Sequence, residues 1–247
     1  MMTYSLAVAL LPQVRPEAAA LTLDQYGVHL HGKPGEIIRG TIRLTNEKAV
    51  PVALDVHSTD LSNQSRLYSK WLTLGSSQLA IQPGASTQLE YTVALPEKAS
   101  GQFLSRISFT ERPREKKRAA VTFLTRMSIH IAATVVGTEI YDGDIQAIEV
   151  GNSSCPMIRL VVRNSGNVYV KPKGSCVIFD TASTSKIAET TVNRVGEAVH
   201  VGRSERLIGP LDKPLPVGRY RAEVSLAFTE QYSINRTLDF TVHEETQ

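Results

Sequence analysis

Short stretches in which apolar and polar residues alternate run through most of the chain. Every second residue is apolar in residues 87–95, and the same alternation returns in residues 102–109. A period of two places successive side chains on opposite faces of a β-strand. Gly, Pro, Asn and Ser turns separate these stretches, and no long segment shows the 3.6-residue period of a helix. The pattern predicts an all-β protein.

The strands can be placed from this alternation and from the turns between them. In the first half they are predicted at residues 21–30, 36–46, 50–59, 71–72, 79–81, 87–95, 102–109 and 120–136. In the second half they are predicted at residues 140–150, 157–164, 168–180, 186–192, 199–207, 219–229 and 235–242. Gly40 interrupts the second of these strands, which predicts a bulge or bend there.

The two sets of strands meet at Gly137, which is the predicted domain boundary. Each set has roughly the size of one seven-stranded sandwich, so 247 residues accommodate two consecutive immunoglobulin-like β-sandwich domains, at residues 21–137 and 138–247. Residues 1–20 combine a short apolar run with three consecutive alanines, which leaves two interpretations: a degraded or truncated export signal, or a disordered N-terminal tail. No apolar stretch approaches the roughly 18 residues that span a bilayer, so no membrane span is expected.

The net charge of +3 is too small to imply a nucleic-acid partner, and it is concentrated in one place. The run Glu111–Arg118 has five basic and two acidic residues. A solvated loop is the simplest interpretation of such a run. Its positive charge would also discourage edge-to-edge pairing of the neighbouring strands, or would contact a headgroup, an acidic glycan or a partner.

The chain shows no concentration of catalytic chemistry. It has neither a nucleophile elbow nor a phosphate-binding glycine loop, and its carboxylates are dispersed. His29 and His31 share one strand face, but no third ligand accompanies them, so neither a metal nor another cofactor is expected. The sequence therefore predicts a protein that is not an enzyme.

Two cysteines, Cys155 and Cys176, leave two alternatives open. If Ser165-Gly166 forms a two-residue hairpin turn, the register places these cysteines opposite each other, where an oxidising compartment would join them. If their strands belong to opposite sheets, the register argument fails and both thiols stay free.

Several motifs, taken in order, resemble the PapD-like periplasmic chaperones of fimbrial assembly. The segment 35–46, ending in Asn46, is similar to the family's second strand. Trp71-Leu72 followed by Pro83-Gly84-Ala85-Ser86 resembles its proline-glycine turn. Residues 122–131 resemble its long G strand after a basic loop. The second half resembles the sandwich modules found after such domains, through residues 159–168 and 215–222.

The resemblance implies a periplasmic or secreted chaperone that binds pilus or surface-structure subunits through its G strand by β-augmentation. The partner-binding residues it indicates follow that strand: Val121, Phe123, Arg126, Met127, Ile129 and Ile131. The apolar members of this set would equally serve as an ordinary core face of the strand. An usher or outer-membrane assembly protein is the second implied partner. A structural or adhesive surface module with no release step is the alternative function.

One feature departs from the family. The resemblance implies an arginine on the first strand and a lysine on the G strand, which anchor the carboxylate of the subunit. Residues 21–31 contain neither arginine nor lysine, and Ser128 stands at the matching G-strand position. Arg126, two residues earlier, is the nearest cation that would pair with a carboxylate.

Overall fold

The computed structural model describes residues 21–61, 71–113, 124–151 and 155–243. Three predictions fall outside these ranges: the export signal at residues 1–20, the partner contacts of Val121 and Phe123, and the greater part of the basic run.

The described residues of the first half form two facing sheets. The strands are β1 (Leu21–Leu23), β2 (Gly27–Gly32), β3 (Ile37–Asn46), β4 (Val52–Asp60), β5 (Leu72–Leu74), β6 (Gln78–Ile81), β7 (Ser86–Ala94), β8 (Gly101–Glu111) and β9 (Arg126–Val135). One sheet has the order β1-β3-β7-β5 and the other β2-β9-β8-β4-β6. All of these pairs are antiparallel except β2 and β9.

The side chains that point inward from the two sheets pack together in an apolar core. Trp71 and Phe103 lie at its centre with their ring centroids 5.3 Å apart, and Phe109, Ile129 and Ile131 are as fully buried. Burying each such side chain contributes roughly 1.5–3 kcal/mol.

The second half repeats the plan with a separate core. Its strands are β10 (Gly143–Gly151), β11 (Met157–Asn164), β12 (Lys173–Asp180), β13 (Lys186–Val192), β14 (Ser204–Pro210), β15 (Gly218–Ala227) and β16 (Ser233–Val242). They form the sheets β10-β11-β14 and β13-β12-β15-β16. The all-β prediction of two immunoglobulin-like sandwiches is confirmed. The first core extends to Val135 and the second begins at Ile145, on either side of the predicted boundary, which stays a prediction.

The first predicted strand is in fact two. β1 pairs with β3, whereas β2 pairs in parallel with β9 in the opposite sheet, so the chain crosses between the sheets at residues 24–26. The predicted bulge at Gly40 is absent, because the register between β3 and β7 is continuous. Glycine is required there for another reason: the ring of Tyr91, its cross-strand partner, occupies the space that a Cβ would take.

The hairpin that would join the two cysteines does not form. β11 and β12 lie in different sheets, and Cys176 faces Thr190 and Val224. Both thiols are free: Cys176 is fully buried, which raises its pKa to about 12, and Cys155 is exposed. The disulfide prediction therefore loses its geometric basis.

The described residues contain no helix with the length and hydropathy needed to cross a membrane.

Candidate functional site

The C-terminal part of strand β9 lies between two neighbouring strands, whereas its N-terminal part lies at the edge of the sheet. β8 pairs with all of it, from Arg126 to Val135. β2 begins at Gly27, opposite His130, and covers only the segment from His130 onwards. Within the described chain, no strand pairs with Arg126–Ile129 on the β2 side.

The ladder between β8 and β9 shows which backbone groups face this uncovered edge. The N–H of Glu111 donates to the carbonyl of Thr125 at 2.9 Å, so odd-numbered residues of β9 direct their backbone groups towards β8. Even-numbered residues direct theirs the other way, as the bond from the N–H of Val136 to the carbonyl of Gly32 shows at 2.9 Å. Arg126 and Ser128 therefore present their N–H and C=O groups to the uncovered edge. We call the segment Arg126–Ile129 the free edge.

The side chains of the predicted partner-binding residues alternate along the strand. Ile129 and Ile131 have no exposed surface and pack in the first core. Met127 is half-buried against the same core, and Arg126 is exposed on the opposite face. The structure thus gives the isoleucines a core role in the free protein, while the predicted partner contact of the strand stays a prediction.

An ion pair between Lys48 and Glu111 lies beside the start of β9. The Glu111 carboxylate accepts hydrogen bonds from Lys48 Nζ at 2.7 Å and from the N–H of Thr125 at 3.1 Å. Partial burial works to raise the pKa of Glu111, but the Lys48 ammonium and the Thr125 bonds outweigh it and hold the pKa below its ordinary value. The carboxylate therefore ties the end of β8, at Glu111, to Thr125, the residue that precedes β9.

A second feature is the junction between the two sandwiches. The N–H of Gln102 donates to the carbonyl of Asn167 at 2.9 Å, and the N–H of Tyr169 donates to Gln102 Oε1 at 3.2 Å. The Gln102 amide is in turn held by Thr134 Oγ1 at 3.1 Å. The start of β8 is thus hydrogen-bonded to residues 167–169 of the second sandwich.

A cavity of about 540 Å³ lies beside this junction and is lined from both sandwiches. Tyr169 stands in its wall, with its hydroxyl 3.1 Å from His29 Nδ1 of β2 and its ring centroid 6.1 Å from that of His200. Arg106 of β8 also lines the cavity, and its Nε lies 3.4 Å from Nε2 of His130 on β9. We call this cavity the cleft.

The sequence did not indicate the cleft. In the sequence, His29 stands out only as an incomplete metal-ligand pair with His31, and the described residues contain no group of three or more His, Cys, Asp or Glu that could hold a metal ion. The available signal was the alternation that places His29, in predicted strand 21–30, and His130, in predicted strand 120–136, on outward faces. Their convergence with Tyr169 depends on the junction, which alternation does not encode.

Comparison with known proteins supports the fold. No family model and no curated protein matches the chain. Among solved structures, the class 5 fimbriae chaperone CfaA is similar with a TM-score of 0.51 and 10% identity, over 88% of this chain and 98% of that chain. A chain from a chaperone–tip adhesin complex of CFA/I fimbriae biogenesis has a TM-score of 0.51 and 11% identity, over 89% and 98%. The resemblance to PapD-like chaperones is confirmed at the level of the fold.

Proposed function

We propose that the protein is a chaperone-like, non-enzymatic factor of fimbrial or surface-structure assembly that acts in the periplasm or outside the cell. It binds an incomplete pilin-like subunit along β9 and passes it to an usher-type assembly partner. The observation that carries the proposal is the free edge, where the backbone groups of Arg126 and Ser128 face away from β8 and β2 does not cover them.

β-Augmentation needs unpaired backbone donors and acceptors on a rigid strand. The free edge supplies the donors and acceptors, and the buried side chains of Ile129 and Ile131 supply the rigidity, since they fix the strand in the core. A strand of the subunit would continue the line of β2 beside Arg126–Ile129. Exposed Arg126 and half-buried Met127 are then the described side chains nearest to the subunit, and Val121 and Phe123 belong to the same proposed contact.

A proline at Ser128 tests this geometry. Replacing Ser128 by proline removes an N–H that faces the free edge and leaves the bonds of Met127 and Ile129 to β8 in place. We expect Ser128→Pro to fold, and to bind a pilin-like subunit lacking one strand at least about tenfold more weakly, since a lost hydrogen bond and a ring at the interface together cost about 1.4 kcal/mol or more. Binding is measured by titration calorimetry.

The matched control is Ser128→Ala. It loses the same hydroxyl contact to Ser108 Oγ, at 3.2 Å, but keeps the backbone N–H. Equal affinity of the two variants would refute binding at this edge. Hydrogen exchange of the wild-type protein gives an independent check: the amides of Arg126 and Ser128 should exchange faster than that of Thr134, which β2 covers, and subunit binding should slow them.

A further inference from the structure

The start of β9 has fewer backbone partners than the rest of the strand. β8 pairs with Arg126–Ile129 from one side, whereas β2 adds a second ladder from His130 onwards. Local opening requires less free energy where fewer contacts hold the chain. A client strand can be added to the free edge only while Arg126–Ile129 lies against β8. Client binding therefore depends on whatever else holds this end of β9 in place.

Glu111, the last residue of β8, supplies part of that support. Its N–H donates to the carbonyl of Thr125 at 2.9 Å, and its Oε2 accepts the N–H of the same residue at 3.1 Å. Both backbone groups of the residue that precedes β9 are thus bonded to one residue of β8. The second of these bonds forms only when the carboxylate points at Thr125.

Lys48, in the loop between β3 and β4, fixes the orientation of that carboxylate. Its Nζ lies 2.7 Å from Glu111 Oε2 and 3.3 Å from Thr125 Oγ1. The lysine and glutamate side chains are only 21% and 12% exposed, so solvent and salt screen their attraction weakly. Lys48 is held in turn, because its N–H donates at 3.0 Å to Oδ1 of Asn46, which is fully buried. A loop that begins in the facing sheet is therefore connected to the start of β9.

A second ion pair at this end of β8 provides a comparison. Arg112 follows Glu111 in the chain, and its Nε donates to Asp55 Oδ1 at 2.8 Å. This pair joins β8 to β4, which is on the side of β8 away from β9. Its side chains are 40% and 50% exposed. Removing it changes the same charges at nearly the same place but leaves the support of β9 intact.

We infer that Lys48 and Glu111 are positioning residues of the free edge: they hold Arg126–Ile129 against β8, so that a client strand can be added on the other side. The inference rests on the proposed function for the role of the free edge. It adds that the readiness of this edge to bind is set from the loop between β3 and β4, which belongs to neither β8 nor β9.

The first measurement is hydrogen exchange of the full chain by NMR, with the ion pair removed as a unit. Lys48→Met combined with Glu111→Gln leaves no unpaired buried charge and keeps an amide oxygen near Thr125. The N–H of Met127 is directed towards β8, so its exchange reports local opening of the strand. We expect the Met127 amide to exchange about tenfold faster, since a hydrogen bond between charged groups contributes at least that factor. The amide of Ala133, where β8 and β2 both pair, should keep its rate.

The second measurement is the affinity for a pilin-like subunit lacking one strand. It should fall about threefold or more, and by no more than about tenfold, because the fraction of molecules with a formed edge scales the apparent affinity. Asp55→Asn combined with Arg112→Gln removes the comparison pair and should leave both the affinity and the Met127 exchange unchanged. Lys48→Arg preserves the ion pair and should behave as the wild-type protein does.

Two outcomes would overturn the inference. One is equal exchange of the Met127 amide in the two double variants. The other is equal acceleration at Met127 and Ala133, which would show a general loss of stability in place of a local one. Because the exchange measurement needs no client, its result is independent of the proposed function. Accelerated exchange at Met127 alone, together with a wild-type protein that binds no subunit, would refute the proposed function and leave the positioning of the strand established.

Discussion

At the scale of single residues, three loops of this protein are stabilised by the same hydrogen bond from an asparagine side chain. Each asparagine is fully or almost fully buried, and its Nδ2 donates to the carbonyl of the residue four positions later. The three bonds are Asn46 to Val50 at 2.9 Å, Asn164 to Val168 at 2.8 Å and Asn193 to Glu197 at 2.9 Å. Buried side-chain amides thus satisfy loop carbonyls that a β-ladder does not reach.

Replacing Asn164 by alanine should therefore destabilise the second sandwich strongly. The change leaves the carbonyls of Val168 and Val199 and the N–H of Gly166 without their bonds to the amide. We expect a loss of about 2–4 kcal/mol in the free energy of unfolding, measured by urea denaturation. Asn235→Ala, on an exposed position of β16, should change it by less than about 0.5 kcal/mol. Similar values for the two variants would contradict this role.

At the scale of elements, β9 is a core strand and an edge strand at once. Its inward row belongs to the first core, and its even-numbered backbone groups face the free edge only as far as Ser128. This arrangement allows a partner to be bound through the backbone without any exposure of the core.

A charge scan of β9 distinguishes the two roles. Ile129→Asp buries an unpaired carboxylate at a position with no exposed surface and should cost more than about 4 kcal/mol, enough to unfold the first sandwich. Arg126→Asp makes a larger charge change on the exposed face of the same strand and should leave the melting temperature within a few degrees. Circular dichroism melts check both. A folded Ile129→Asp protein would show that this face opens in the free molecule.

The alternation of apolar and polar residues predicted most strands, and it predicted the bounds of β11 and β13 correctly. It succeeds because the two-residue period of a strand can be seen in the local sequence alone. It did not predict sheet membership. The break between β1 and β2, the separation of Cys155 from Cys176, and the free edge all depend on which strands pair over long distances. Likewise, the residue that fills the space above Gly40 is Tyr91, whose position follows only from the register of β3 with β7. The sequence therefore predicted the strand that carries the site. It did not predict which part of that strand is left unpaired, or that a cleft lies beside the junction.

At the scale of the whole molecule, the junction makes the two sandwiches one unit with a cleft between them. Gly101 lies at this point with a φ of +73°, and a Cβ there would meet the backbone and side chain of Asn167. The close approach of the sandwiches depends on the missing side chain.

Gly101→Ala should consequently open the junction. Gly84 has a similar φ of +68° but has no atom close to where its Cβ would stand, so Gly84→Ala carries the same backbone strain without the collision. We expect small-angle scattering to show a larger radius of gyration for Gly101→Ala than for Gly84→Ala. The same radius for both would mean that the contact with Asn167 does not set the arrangement of the sandwiches.

The packing of Trp71 against Phe103 also gives the molecule an intrinsic optical label. Trp71 is the one tryptophan in the sequence, and it is buried in the first core. Tryptophan emission therefore reports on the sandwich that carries the free edge and is silent about the other. Far-ultraviolet circular dichroism reports on the strands of both sandwiches. A fluorescence transition that does not coincide with the dichroism transition on the same sample will therefore show that the two sandwiches unfold separately, without any added dye.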